Sequence, residues 1–219
     1  MYQFEAIIFD YGNVLSSVPW QSDVEAMARI AGSSKESFEN AYWTHRHDYD
    51  CGLISSVDYW GRVAEQLQVD ISASYVNELT QIDVKSWARP NKQTVEFAYQ
   101  LQASGIRLSL LSNMPVELKE WAEGPSSWLP RFCHRTYSCD LKVAKPDPAI
   151  YEHAIWGLQT KPSNVLFIDD RSENIDGALK CGLNGILFEG YQTIKVLTDM
   201  IINPQIAKVP AGETLAGTI

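Results

Sequence analysis

Glu5-Ala6-Ile7-Ile8-Phe9-Asp10-Tyr11-Gly12-Asn13-Val14-Leu15 is a short apolar run that stops on an aspartate and then turns through Gly-Asn. Four small or β-favouring apolar residues in a row, bounded by turn formers, predict a strand buried on both faces. Asp10 then emerges at its carboxyl end, where open parallel sheets carry their chemistry. A carboxylate held there can act as a nucleophile, as a metal ligand, or as both. The same pattern also makes a plain strand-to-helix turn, so the rest of the chain must decide.

Downstream of this stretch the pattern turns helical. Ser22-Asp23-Val24-Glu25 has capping-box spacing and predicts a helix to about Ala31, ended by Gly32. Ser33 and Glu36 repeat the spacing before Phe38, Tyr42 and Trp43, predicting a second helix through about His47. A third carries Val57, Trp60, Val63, Ala64 and Leu67 at helical intervals, and a weaker fourth runs from about Ala73 to Leu79. From Asn91 strands and helices alternate. A helix to about Ala103 leads to the strand Arg107 to Ser112-Asn113, and Pro115 opens another helix. A short strand is expected at Thr136–Ser138. Lys145-Pro146-Asp147-Pro148 feeds a helix through Leu158, Asn164–Ile168 forms a strand closed by Asp169-Asp170, and Gly185–Phe188 is the last strand. This alternation predicts an α/β fold, a doubly wound parallel sheet. The expected organisation is a core of residues 1–16 and 90–202, a helical insert of 17–89 covering the carboxyl edge of the sheet, and a tail of 203–219 on the surface.

Composition narrows the function. The 219 residues suffice for one large domain or a domain with an insert, and a net charge of −9 without a basic cluster argues against nucleic acid. No segment is long and apolar enough to span a bilayer, and the N-terminus lacks a signal-peptide pattern, so a cytoplasmic protein is expected. Cys51, Cys133, Cys139 and Cys181 have no paired spacing and are expected to be mostly reduced, buried thiols.

Asp10, Ser112-Asn113, Lys145 and Asp169-Asp170 all fall at strand ends or in the adjoining loops, so right-handed crossovers can bring them together. Three acids in one cleft repel each other unless a cation screens them, which suits Mg²⁺ with its preference for oxygen ligands. Lys145 would balance the remaining charge, and the Ser112 hydroxyl could hold phosphoryl oxygens. Ser112-Asn113 could equally cap the next helix. Glu173, Asn174 and Asp176 either support the acids or favour a helix N-terminus.

In this order the features resemble the haloacid dehalogenase-like superfamily of hydrolases. The resemblance implies a Rossmann-like core with an α-helical cap, and Mg²⁺-dependent phosphate-ester hydrolysis through an aspartyl-phosphate on Asp10. It makes Asp10, Ser112 and Lys145 catalytic, and assigns the metal to Asp10, the Gly12 backbone carbonyl, Asp170 and Asp169. The expected partner is a small phosphorylated metabolite, plausibly a sugar phosphate, bound by a monomer or homodimer. One position departs from the pattern: Gly12 stands where most phosphatases of the family carry the acid that protonates the leaving oxygen, a function worth about 10²–10⁴-fold. Asp10-Tyr11-Gly12-Asn13-Val14 resembles a subset that includes bacterial sugar-phosphate phosphatases. Acid-base work is then expected from a water or from the cap stretch Tyr42–Tyr49, where His45 or His47 could titrate and Arg46 could bind substrate alongside Asn113. The alternatives are a metal-independent 2-haloacid dehalogenase and a non-catalytic phosphate-ligand-binding protein of the same fold.

Overall fold

The computed structural model describes residues 4–70 and 72–203. The expected surface tail therefore lies, past Asn203, outside the described residues. Five parallel strands form one sheet: β1 (Ala6–Phe9), β2 (Arg107–Ser112), β3 (His134–Tyr137), β4 (Val165–Asp169) and β5 (Asn184–Leu187), in the order β3-β2-β1-β4-β5. The chain builds outward from β1 on one side and then returns to place β4 on the other. Strand order therefore reverses between β1 and β4, and the crevice opens at their carboxyl ends.

Alternate side chains explain why the central strands are apolar throughout. Ile7, Phe9, Leu108, Leu110, Leu166 and Ile168 face one layer of the core, while Ala6, Ile8, Leu111, Val165 and Phe167 face the other. The first layer is covered by α6 (Lys92–Ala103), α7 (Val116–Glu123) and α11 (Tyr191–Leu197), and the second by α9 (Pro148–Leu158) and α10 (Ser172–Lys180). Burial of each such Leu, Ile or Phe side chain contributes about 1.5–3 kcal/mol.

Between the first two strands lie α1 (Gln21–Ile30), α2 (Lys35–Thr44), α3 (Arg46–Asp50), α4 (Ser56–Leu67) and α5 (Ala73–Trp87). They share a separate core around Phe38, Tyr42, Tyr59, Trp60 and Leu79. The chain enters and leaves this helical unit through two adjacent strands of backbone: Ser17 N–H donates to the Arg89 carbonyl at 2.8 Å and Asn91 N–H to the Leu15 carbonyl at 2.8 Å. Arg89 also pairs with Asp23 on α1, tying the exit to the first helix.

Several boundaries differ from expectation for identifiable reasons. Helix α1 starts two residues early because the Asp23 carboxylate accepts the Trp20 N–H at 3.0 Å. Ser34, not Ser33, caps α2 through the Ser37 N–H. The expected single helix to His47 breaks at His45 and resumes as α3. Helix α5 continues eight residues past Leu79. Strand β3 begins at His134, and Ser138 opens the short helix α8 (Ser138–Leu141). All four cysteines are free, but only Cys51 and Cys139 are buried, with Cys133 exposed. Among the described residues no helix is long and apolar enough to cross a membrane.

Candidate active site

The ends of β1 and β4 bring two carboxylates to one ammonium. Asp10 follows β1, its N–H continuing the ladder to the Ile168 carbonyl at 2.9 Å. Lys145 Nζ lies 2.6 Å from Asp10 Oδ1 and 2.6 Å from Asp169 Oδ2, and donates to the Leu111 carbonyl at 3.2 Å. Its three protons are thereby used. Asp10 Oδ1 also accepts the Tyr11 N–H at 2.7 Å. No group among the described residues hydrogen-bonds Asp10 Oδ2, the oxygen left for chemistry. Asp10 is 7% exposed. Burial pushes its carboxyl up to about 8, against the pull of Lys145 and with the repulsion of Asp169 added. Burial also opposes the Lys145 charge, but Asp10 and Asp169 outweigh it and raise that pKa.

Asp169 is the most constrained acid. Its Oδ1 accepts the Arg171 N–H and Asn174 Nδ2, both at 2.9 Å, while Oδ2 faces Lys145. Asn174 therefore holds an acid in place, whereas Glu173 pairs with Arg171 and Asp176 is exposed. Asp170 receives Asn13 Nδ2 on Oδ2 at 2.9 Å. Asn13 reaches it from a left-handed backbone, φ 56°, that Asn tolerates better than most residues. Carboxylate oxygens of Asp10, Asp169 and Asp170 lie within 4.8 Å of one another. An all-oxygen donor set carrying more negative than positive charge fits a hard divalent cation such as Mg²⁺.

Asn113 fastens the lysine loop from both sides, donating Nδ2 to the Lys145 carbonyl at 3.1 Å and accepting the Lys145 N–H on Oδ1 at 2.9 Å. The buried Ser112 hydroxyl has only the Asn113 carbonyl, at 3.5 Å, and is free to turn toward another acceptor.

These groups face a cleft of about 620 Å³ whose opposite wall comes from the helical unit: Trp43, Arg46, His47, Asp50 and Trp87. His45, expected here, does not line it and stands at the break between α2 and α3. Arg46 lines it but is 5% exposed. Its Nε donates to Asp50 Oδ1 at 2.7 Å and its Nη1 to Asp83 Oδ2 at 2.9 Å, with the Tyr42 hydroxyl also in contact. Two carboxylates already offset its charge. Burial pushes the Asp50 carboxyl up to about 6 despite Arg46. The sequence offered no sign of Trp87, whose ring lies against Gly12: a Cβ there would stand 3.5 Å from Trp87 Cζ3. The Tyr11 hydroxyl donates to the Trp87 carbonyl at 2.9 Å, tying the end of α5 to the loop that follows Asp10.

The family model of haloacid dehalogenase-like hydrolases matches residues 4–182, and the chain belongs to that family. It is 31% identical over 120 residues to flavin mononucleotide hydrolase 1 of Arabidopsis thaliana, an alignment covering 52% of this chain and 46% of that protein. To D-ribitol-5-phosphate phosphatase of Bacteroides thetaiotaomicron it is 24% identical over 197 residues, covering 85% and 90% of the two chains. A haloacid dehalogenase-family enzyme from the same bacterium, solved with magnesium and inorganic phosphate, superposes with a TM-score of 0.68 at 18% identity, covering 87% of this chain and 98% of that one. That likeness establishes the shared fold.

Proposed function

We propose that this hydrolase is a Mg²⁺-dependent, cytoplasmic phosphatase of a small phosphorylated metabolite, with sugar phosphates the first class to test. The observation that carries this reading is the convergence of Asp10, Asp169 and Asp170 beside buried Lys145, with one Asp10 oxygen unengaged. The magnesium and phosphate bound by the similar bacterial enzyme support it.

In this reading Asp10 Oδ2 attacks phosphorus in line, the bond from phosphorus to the alcohol oxygen breaks, and an aspartyl-phosphate forms. Water then attacks phosphorus, releasing inorganic phosphate and restoring Asp10. Lys145 provides positive charge beside the phosphoryl group, and Ser112 donates to one of its oxygens. Asp10, Asp170, the Gly12 carbonyl and Asp169 would hold Mg²⁺, which would offset the repulsion of the acids and withdraw charge from phosphoryl oxygens. Asn113 positions Lys145, and residues 17–89 act as a cap that excludes water. With no acid at Gly12, the proton for the leaving oxygen comes from water or from the cap groups lining the cleft, His47 and Asp50.

The test is phosphate release from sugar phosphates and an aryl phosphate, with Mg²⁺ and with EDTA. Release that needs Mg²⁺ and is lost in Asp10→Asn supports the reading. Gly12 favours a second one, in which Asp10 attacks carbon and expels halide without metal. Halide release from a 2-haloacid in EDTA, with no phosphate release, would favour it over ours. Phosphate-ligand binding without turnover of either kind would leave a binding protein.

A further inference from the structure

A second cavity, of about 170 Å³, adjoins the cleft within the helical unit and shares Val18, Trp43 and Trp87 with it. Its remaining walls include Val24 and Met27 of α1 and Phe38 of α2. A dry apolar cavity of roughly 150 Å³ is large enough to take up a benzene ring.

The polar atoms along this wall are already engaged. The Tyr42 hydroxyl donates to Asp83 Oδ1 at 2.6 Å and accepts from Arg46 Nη1 and from Trp87 Nε1, the last at 3.0 Å. Neither the phenol nor the Trp87 indole N–H has a hydrogen bond left to offer. Glu39 is the one charged residue among those lining the cavity, and Lys35 lies 3.9 Å from its carboxylate. Apart from the Glu39 carboxylate at its edge, the lining side chains leave a polyhydroxylated chain no hydrogen-bond partner, whereas an apolar group would lose nothing.

The passage from the nucleophile to this cavity is also apolar. The Trp87 ring beside Gly12, with Cζ3 3.5 Å from where a Cβ would stand, joins Trp43 and Val18 as walls common to the cleft and the cavity. Trp43 and Val18 are 56% and 49% exposed, large apolar groups uncovered at the mouth of a polar site.

We infer that the phosphate ester taken by this site carries, on its alcohol side, an apolar ring-sized group that lodges between Val18, Val24, Met27, Phe38, Trp43 and Trp87. The inference rests on the phosphatase reading for the position of the phosphoryl group, and it narrows the substrate class away from bare polyol phosphates.

The experiment compares 2-phenylethyl phosphate with ethyl phosphate, two primary alkyl esters with similar leaving groups. Wild-type kcat/KM should favour the phenylethyl ester by at least about tenfold. Val24→Trp, which fills the cavity, and Trp43→Ala, which removes an exposed wall, should each bring that ratio toward one. A ratio near one in the wild type, or a preference unchanged in both variants, overturns the inference. If neither ester is hydrolysed, the same pair is titrated into Asp10→Asn protein by intrinsic tryptophan fluorescence. Binding about tenfold tighter for the phenylethyl ester then upholds the cavity while the phosphatase reading fails, and equal binding overturns the cavity itself.

Discussion

The molecule buries one cation between two carboxylates in two places, to opposite effect. In the sheet, Lys145 lies between Asp10 and Asp169; in the helical unit, Arg46 lies between Asp50 and Asp83. Lysine is a compact charge, and Asp10 keeps one oxygen unengaged while a third acid, Asp170, stands within the same 4.8 Å group. Arginine is a planar fork, and its guanidinium also lies over the Tyr42, Tyr49 and Tyr59 rings at 4.9, 5.4 and 5.9 Å. One cation and two carboxylates thus form part of the acidic cluster proposed as the active site in one region and a cross-brace in the other. Among the described residues each pair leaves one carboxylate oxygen without a protein partner, Asp10 Oδ2 and Asp50 Oδ2; what separates them is the third acid, Asp170, beside the first pair and the aromatic rings around the second.

Breaking the first group should cost function and spare the fold. Asp10→Asn is expected to lower phosphate release by on the order of 10⁴-fold or more. Its urea unfolding free energy should stay within roughly 1 kcal/mol of wild type, since removing one of three repelling acids offsets the lost ion pair. Breaking the second should do the reverse: Asp83→Ala leaves buried Arg46 short of a partner and should cost about 3–5 kcal/mol in the same measurement. Destabilisation by Asp10→Asn as large as that of Asp83→Ala would erase the distinction.

Smaller effects sharpen the contrast. Asn13→Ala frees Asp170 and should weaken Mg²⁺ affinity by about 10–100-fold, read by calorimetric titration, with little change in melting temperature. Asp50 provides a pH probe of the brace. Its folded pKa, about 6, lies above the unfolded value of 3.8, so the folded state holds the proton more tightly. The stability this lends is full below about pH 4 and is lost as pH rises through about 6. Asp50→Asn should flatten that slope by up to about 1.4 kcal/mol per pH unit, in urea titrations between pH 4 and 7.

The acidic cluster could be read from sequence because each of its strands is locally complete: a run buried on both faces, ended by a polar group. Asp10 and Asp169-Asp170 follow from this pattern, and Lys145 from its place in the Lys-Pro-Asp-Pro loop that leads into α9. The brace was hidden because α5 buries polar residues. Asp83 and Ser86 face inward, satisfied by Arg46, by Tyr42 and by the Asp83 carbonyl, so the apolar period fades after Leu79. Trp87 was lost with the end of that helix. His45 and Arg46 were expected at the cleft from chemical type alone, but the helix break turns one out of the lining and charge pairing occupies the other. Strand β3 was blurred by His134 and Arg135, half-buried on an edge that pairs only with β2.

The neighbouring backbones at Leu15–Ser17 and Arg89–Asn91 have a further consequence. The helical unit begins and ends at one doorway closed by two 2.8 Å backbone hydrogen bonds, and beyond it the unit touches the core through Tyr49 to Glu117, Ser138 to the Asp50 carbonyl and Lys142 to the Gly52 carbonyl. An insert exchanged at this doorway would keep the strand register but would have to replace those contacts and the cleft wall of Trp43, His47, Asp50 and Trp87 as well.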